Sequence, residues 1–379
     1  MVEHEARRRP RRARSSSLAL VFAVAFAVPV ACKPHRTTPS SADASAASVS
    51  PPASALADDS VGDSSAGDAS PGDASLADAS PYDLAADLSR RTDEARALFP
   101  RSAYPALATR VEGTVYLLVA PQGPAMVSAG AHELRRALRY YYERPSTPGD
   151  ASSPPPFARR PDHAVSVYLF ATRAAFTDFA RHEGVDPDHP VVLYGFALPE
   201  QHELVISGQE GLGTLQHETV HTMVPDADFP GIPRWMDEGL ASLVEQARFD
   251  PDGSMHAQSN GRYLVLQHAL RADAGPARPS LAALFAMSNH EFLGGSPLTP
   301  EGKRDLDAKT AAELLHYGTA RSFCQWAFAE HHALWAFYHA WRDGFDRDPT
   351  GEKAFAAVMG GSFAALEADW EAWVMAQRW

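Results

Sequence analysis

The heptapeptide LQHETVH, residues 215–221, is the stretch that does most to decide the fold of this chain. On an α-helix, His217 and His221 are one turn apart and project from the same face, so both imidazoles can reach one ion. Glu218 follows about 100° further round, where it borders that ion without joining its ligands. The pattern therefore predicts a helix whose histidine face lines a cleft and binds a metal ion. A helix with two ordinary surface or core histidines is the alternative.

A further carboxylate follows in the segment PRWMDEGLA, residues 233–241. Pro233 suits the first turn of a new helix, and Gly239 leaves room for close packing. A helix that begins at Pro233 can turn Glu238 towards the histidine pair. Two histidines and one glutamate form a catalytic zinc set that leaves one coordination position open. A solvated carboxylate on the helix surface is the alternative for Glu238.

Together the two segments read H-E-x-x-H followed by W-x-x-E-G-x-A, which resembles the gluzincin zinc metallopeptidases, a group that includes thermolysin-like enzymes and a family of aminopeptidases. The closest resemblance is to the bacterial peptidase-MA-like families, and it runs from about Thr114 to the end of the chain. It implies a zincin-like fold and hydrolysis of peptide bonds with Zn²⁺ as cofactor. By this resemblance His217, His221 and Glu238 are the metal ligands, and Glu218 is the general base that acts on a metal-activated water.

The sequence departs from the known gluzincin patterns at two places. The aminopeptidases carry a G-x-M-E-N segment upstream of the metal helix, and its absence from this sequence puts exopeptidase action in doubt. Thermolysin-like enzymes place an aspartate four residues after the ligand glutamate, where it orients a histidine. That position is Ser242 here, so the support of the histidines must differ.

Hydrolysis also needs a donor to the oxyanion of the tetrahedral intermediate. The segment HYGTA, residues 316–320, resembles the Y-x-x-A start of a helix in the similar families, and it nominates Tyr317 as this catalytic donor. His316 and Tyr263 are the weaker candidates, and a packed core aromatic is the alternative for Tyr317. The segment 203–206 directly precedes the metal helix, and we expect it to be an edge strand that pairs with the extended substrate.

Hydrophobic periodicity predicts an α+β protein, and the resemblance to the gluzincins implies that its arrangement is zincin-like. A mixed β-sheet and the metal helix form the N-terminal half, and a mostly helical C-terminal half follows, both around one cleft. The predicted strands are 114–119, 164–170, 191–196 and 203–206, with a hairpin between the last two. The predicted helices are 131–143, 172–181, 212–224, 234–247, 260–271, 310–330, 333–344 and 363–377.

The first residues indicate export. Residues 1–31 combine a basic start with an apolar run, Leu18–Val28, which is too short to span a bilayer, and they are typical of a signal peptide. Cys32 then becomes a lipidated first residue, or ordinary cleavage occurs near Ala31. Residues 32–94 are rich in Ser, Ala, Asp and Pro and predict a disordered tether. The metallopeptidase domain is 95–379, with an α/β part to 225 and a helical part from 226.

The composition of the chain limits the classes of partner that we expect it to bind. A net charge of −13 argues against nucleic acid, so we expect a peptide or protein substrate, with membrane contact only through a lipid anchor at Cys32. Loss or lipidation of Cys32 leaves Cys324 alone, and we interpret that residue as a core thiol. Four scattered histidines and one histidine pair lack metal spacing and are interpreted as surface or capping residues: His132, His163, His189, His268 and the pair His331–His332. A cell-envelope lipoprotein that binds zinc without catalysis, or a metal-free scaffold, is the rival interpretation.

Overall fold

The computed structural model describes residues 82–378, apart from 100–106, 112–113, 122, 145–152, 186–193, 210, 251, 273–277 and 298–301. The predicted signal peptide, Cys32 and most of the predicted tether lie outside the described residues. The chain from Asp83 to Trp379 belongs to one compact unit, so the α/β and helical halves do not separate into domains. No helix among the described residues combines the length and apolar character that crossing a membrane requires.

A five-stranded mixed sheet forms the centre of the N-terminal half, in the order β1-β2-β3-β5-β4. Strands β2, β3 and β5 are parallel, and β1 and β4 are antiparallel to their neighbours. All seven residues of β3 are buried, as expected for a strand covered on both faces. The five strands are β1 Leu107–Val111, β2 Thr114–Val119, β3 Ala164–Phe170, β4 Gly195–Leu198 and β5 Glu203–Ser207.

Alternate residues of β3 enter two separate apolar cores, one on each face of the sheet. Val167 and Leu169 pack in the larger core, which α2 (Pro124–Glu143) and α4 (Gly213–Met223) also enter. Tyr168 and Phe170 pack in the smaller core with α1 (Leu84–Leu98) and α3 (Arg173–His182). The larger core continues into the C-terminal helices, so the sheet and the helical half share one apolar interior.

The prediction that residues 203–206 form an edge strand is wrong. Glu203–Ser207 pairs with β3 on one side and with β4 on the other, so it lies inside the sheet. The chain reverses through a single 3₁₀ turn, Pro199–Gln201, which places Gly195–Leu198 outside β5 as the edge strand on this side. The sequence predicted the hairpin correctly, but a hairpin pattern does not say which of its two arms joins the sheet.

Helices dominate the part of the chain after β5, as the periodicity predicts. They are α4, α5 (Arg234–Val244), α6 (Arg262–Arg271), α7 (Leu281–Ala286), α8 (Asn289–Phe292), α9 (Leu306–Ala329), α10 (Leu334–Gly344), α11 (Glu352–Met359) and α12 (Phe363–Ala376). A mixed sheet followed by a more helical half confirms the α+β class. The short α7, α8 and α11, the strand β1 and the small hairpin of β6 (Arg248–Phe249) and β7 (Met255–His256) were not predicted.

Helix α1 corrects the predicted end of the tether, since an ordered helix begins at Leu84 and not at Ala95. Asp83 caps the helix by accepting hydrogen bonds from the backbone of the first turn. Arg91 is 5% exposed and donates from Nη1 to Ser166 Oγ at 3.0 Å. The Ser/Ala/Asp composition obscured this helix, because its stability comes from contacts with the sheet and not from an apolar pattern of its own.

Candidate metal centre

The two motif-bearing helices, α4 and α5, pack against each other and are joined through a π-helical turn, Val224–Asp228. A glycine permits the close contact at the start of α4. A Cβ atom on Gly213 would lie 2.0 Å from the carbonyl oxygen of Glu245, the residue that follows α5. Every residue of α4 after Gly213 is buried, so the helix has no solvent-facing side, contrary to a histidine face that lines an open cleft.

A second glycine brings α5 against α9. A Cβ on Gly239 would lie 2.7 Å from Cys324 Sγ and 3.0 Å from the carbonyl oxygen of Ala320. This is the close packing that the sequence predicted for Gly239. Cys324 is fully buried in the same contact, in agreement with its interpretation as a core thiol. Helix α5 is therefore held between α4 and α9, which fixes the position of Glu238.

The side chains of His217, His221 and Glu238 converge. His217 Nε2 is 3.3 Å from Glu238 Oε2, and His221 Nε2 is 3.8 Å from the same oxygen. Two ligands at the usual zinc distances are about 3.4 Å apart in a tetrahedral site. The three ligand atoms lie within 4.8 Å of one another, so they fit around one cation.

The donor set also leaves buried oxygens without partners. Both carboxylate oxygens of Glu218 are buried and have no hydrogen-bond partner among the described residues, and the buried Glu238 Oε2 has only its contacts with the two histidines among those residues. Leaving such groups unpaired costs about 1–3 kcal/mol each, and more where they are charged. A cation beside these carboxylates would remove that cost, so the residues present fit a zinc ion.

Carboxylates on α5 support the two histidines. His221 Nδ1 is 2.8 Å from Asp237 Oδ2, and His217 Nδ1 is 3.9 Å from Glu245 Oε2. Glu245 in turn pairs with Arg262. The hydroxyl of Ser242 has no hydrogen-bond partner among the described residues. Asp237, which directly precedes Glu238 and which the sequence analysis did not single out, can thus support His221, whereas position 242 holds a serine.

Tyr317 lies at the site and contacts a ligand. Its hydroxyl donates to Glu238 Oε1 at 3.0 Å, and Arg234 Nη2 is 3.1 Å from the same oxygen. The two weaker candidates are engaged elsewhere: His316 Nδ1 is 3.0 Å from the carbonyl oxygen of Phe292, and the Tyr263 hydroxyl donates to Gln325. Tyr317 is thus the candidate that the structure brings to the ligand set, through Glu238.

The electrostatic environment gives Glu218 and Glu238 very different pKa values. Burial raises the pKa of Glu218 to about 8, although His221 opposes the shift. Burial would also raise the pKa of Glu238, but His221, His217 and Arg234 outweigh it and hold that pKa at about 2. Burial opposes protonation of His221, whereas Asp237 and Glu238 favour it and raise its pKa to about 9. A cation must therefore compete with a proton at His221.

The centre is enclosed. His217, Glu218, His221 and Glu238 are each at most 3% exposed. A cavity of about 130 Å³ adjoins the site and is lined by His221 and Thr222 together with the β4–β5 hairpin. The edge strand also reaches the site, because a Cβ on Gly195 would lie 3.3 Å from Glu218 Cγ.

Comparisons with known proteins provide no relative from which a role could be transferred. No protein-family model matches the chain, and no curated protein matches it. The functional interpretation rests on the motifs and on the geometry that brings them together.

Proposed function

We propose that this protein is a zinc metallopeptidase of the gluzincin type, with a zincin-like fold, that hydrolyses peptide bonds. One observation carries the proposal: two imidazoles and a carboxylate from adjacent helices converge within 4.8 Å, beside a second, unpartnered carboxylate on Glu218. The spacing of these residues resembles the peptidase-MA-like families, and the ligand atoms suit tetrahedral zinc.

In this proposal His217, His221 and Glu238 hold the ion, and Asp237 orients His221. Zinc bound there would polarise the scissile carbonyl and lower the pKa of water in the site. Glu218 accepts the proton of the attacking water and passes it to the leaving amine. The burial of Glu218, which raises its pKa, suits a carboxylate that must both accept and release a proton near neutral pH.

The edge strand β4 offers a binding surface for the substrate backbone. Ser207 N donates to the carbonyl oxygen of Tyr194, which marks a hydrogen-bonded pair in the hairpin. Alternation along the strand then turns the backbone N–H and C=O of Gly195 and Ala197 away from β5. An extended peptide could add to this side as a further strand, adjacent to Glu218.

Tyr317 remains the proposed donor to the oxyanion. Its hydroxyl is 3.0 Å from Glu238 Oε1, the carboxylate oxygen beside the candidate ligand atom Oε2, and it would exchange that contact for one with the substrate. Until it does, the hydroxyl orients Glu238 together with Arg234.

Export belongs to the same proposal. We infer that residues 1–31 direct secretion, and that the protein is either anchored in the cell envelope through a lipid on Cys32 or released.

The enclosure of the site favours a second candidate, a cell-envelope protein that binds zinc without catalysis. All four site residues are buried, and the adjoining cavity of about 130 Å³ is too small for an extended peptide. The peptidase proposal requires this cavity to widen when the substrate arrives, whereas the non-catalytic candidate does not.

The zinc content and peptide cleavage of three full-length proteins separate these candidates: wild type, Glu238→Ala and Glu218→Gln. We expect Glu238→Ala to bind about one zinc equivalent less than the wild type, because it removes a ligand. Glu218→Gln should keep the zinc of the wild type and lose at least about 100-fold in cleavage of a peptide library. Glu352→Ala, at an exposed helix residue, serves as the control.

Equal zinc content in the wild type and in Glu238→Ala would contradict the proposed metal centre. Zinc that depends on Glu238 without cleavage of any library peptide would leave the non-catalytic candidate.

A further inference from the structure

A second group of potential ligands lies outside the candidate metal centre. His163, His202 and Asp226 offer ligand atoms that lie within 4.8 Å of one another. His163 directly precedes β3, and His202 directly precedes β5, its parallel neighbour in the sheet. Asp226 comes from the π-helical turn after α4. Three segments far apart in sequence therefore bring two imidazoles and a carboxylate together.

His163 and His202 each have a buried ring nitrogen that no group among the described residues satisfies. His163 Nδ1 is 3.0 Å from Asp162 Oδ1, a contact that places the ring proton on Nδ1 and leaves Nε2 as an acceptor. His163 Nε2 and His202 Nδ1 are both buried without a hydrogen-bond partner among the described residues. A histidine whose other nitrogen is held by a carboxylate is the usual arrangement of a metal ligand.

Simple packing does not account for this pair. The two rings are stacked with centroids 3.4 Å apart, which leaves both buried nitrogens without a donor. His202 adopts a left-handed backbone conformation, with φ 51°, at the end of the 3₁₀ turn between β4 and β5.

We propose that His163, His202 and Asp226 form a second cation site for a divalent transition metal such as Zn²⁺. Two imidazoles and one carboxylate favour zinc or copper over calcium or magnesium, which prefer all-oxygen sites. Rotation of the rings out of their stack turns His163 Nε2 and His202 Nδ1 towards the ion, and Asp226 supplies the negative charge. The site does not depend on peptidase activity.

The position of this site gives it a structural consequence. His202 ends the turn of the β4–β5 hairpin, and Asp226 follows the metal helix α4. Both residues line the cavity of about 130 Å³ that His221 also lines. A cation here therefore cross-links the edge-strand hairpin to the turn behind α4 and fixes the walls of the cavity beside the candidate metal centre.

The test compares the zinc content of four full-length proteins: wild type, His202→Asn, Glu238→Ala and the double variant. Each protein is first dialysed against buffered free Zn²⁺. Asparagine tolerates the left-handed backbone and removes the imidazole ligand. We expect each single variant to lose about one equivalent and the double variant to lose about two. Loss in His202→Asn alone, with none in Glu238→Ala, would support this site and reject the other one.

His332→Asn is the matched control, because His332 also has a positive φ, 52°, and belongs to no group of potential ligands within the described part of the chain. Circular dichroism checks folding, and Asp226→Asn, at an exposed ligand on a different segment, replaces His202→Asn if that variant does not fold. In the Glu238→Ala background, added Zn²⁺ should raise Tm, and His202→Asn or Asp226→Asn should abolish the rise. Unchanged zinc content and an unchanged Tm response in both ligand variants would overturn the proposal.

Discussion

At the scale of single residues, the pKa values of two buried glutamates, Glu218 and Glu238, are shifted in opposite directions. Glu238 is surrounded by His221, His217 and Arg234, which keep it ionised, whereas Glu218 accepts no hydrogen bond from the described part of the chain and burial dominates its pKa. The difference comes from the neighbours of each carboxylate, since both are nearly inaccessible to solvent. Such a separation of pKa values is typical of sites in which one carboxylate is a ligand and another moves a proton.

Glu218→Gln should stabilise the metal-free protein, and more so at higher pH. The pKa of Glu218 is raised from 4.5 to about 8 in the folded state. Between these values the unfolded chain loses a proton that the folded chain retains, so the free energy of unfolding of the wild type falls as pH rises. Glutamine removes this dependence.

Urea unfolding of chelator-treated proteins measures the effect. The advantage of Glu218→Gln should grow by on the order of 3 kcal/mol between about pH 5 and pH 8.5. An advantage that does not change with pH would show that Glu218 is ionised in the folded, metal-free protein.

At the scale of elements, α5 is positioned by its contacts with α4 and α9. Gly213 lets the start of α4 lie against the residue after α5, and Gly239 lets α5 lie against α9. Asp237 and Glu238 therefore reach His221 and the ligand set from a helix that has little freedom to move. A small displacement of α5 would move both the candidate ligand Glu238 and Asp237, which contacts the candidate ligand His221.

Gly239→Ala should destabilise the protein and weaken zinc binding together. The added methyl meets Cys324 Sγ and the backbone oxygen of Ala320, and a backbone atom cannot rotate away. We expect a loss of about 1–3 kcal/mol in the free energy of unfolding, measured by denaturant titration without metal.

Zinc affinity, measured by competition with a chelator, should fall about 10-fold or more in the same variant. Gly344→Ala is the control, because a Cβ at that residue has no atom within 4 Å. If Gly239→Ala kept the zinc affinity of the wild type, the contact with α9 would not position Glu238.

At the scale of the whole molecule, Asp228 connects the two halves of the chain. Its Oδ1 accepts hydrogen bonds from the backbone of Ala158 and Arg159, both at 2.7 Å. Its Oδ2 accepts from Tyr338 and from Arg342 on α10, both at 2.9 Å. One fully buried carboxylate thus ties the segment before β3 to the C-terminal helices, in agreement with a single compact unit.

Asp228→Ala should cost about 2–4 kcal/mol in the free energy of unfolding, because it leaves two backbone N–H groups and the buried Tyr338 hydroxyl without their acceptor. Asp343→Ala is the matched control. Asp343 also pairs with Arg342 but is 67% exposed, so its removal should cost less than about 0.5 kcal/mol. Equal effects of the two substitutions in thermal or urea unfolding would contradict the connecting role of Asp228.

Much of the local structure could be predicted from the sequence. The strands 114–119 and 164–170 match the structure, and the hairpin before α4 is also present. Short elements such as α7 and α8 escaped prediction, since 6 and 4 residues are too few to show a period. The start of α1 escaped because the sequence there continues the Ser/Ala/Asp composition of the predicted tether, and the helix depends on contacts with the sheet.

By itself the sequence determined most of the longer helices and strands and the ligand candidates His217, His221 and Glu238, because hydrophobic periodicity and the His217–His221 spacing act within one element. Only the tertiary structure decided which arm of the hairpin forms the edge and that Asp237 supports His221. It also decided that His163 and His202 meet. These facts depend on strand register and helix packing between residues far apart in the chain, and no local pattern encodes such pairings.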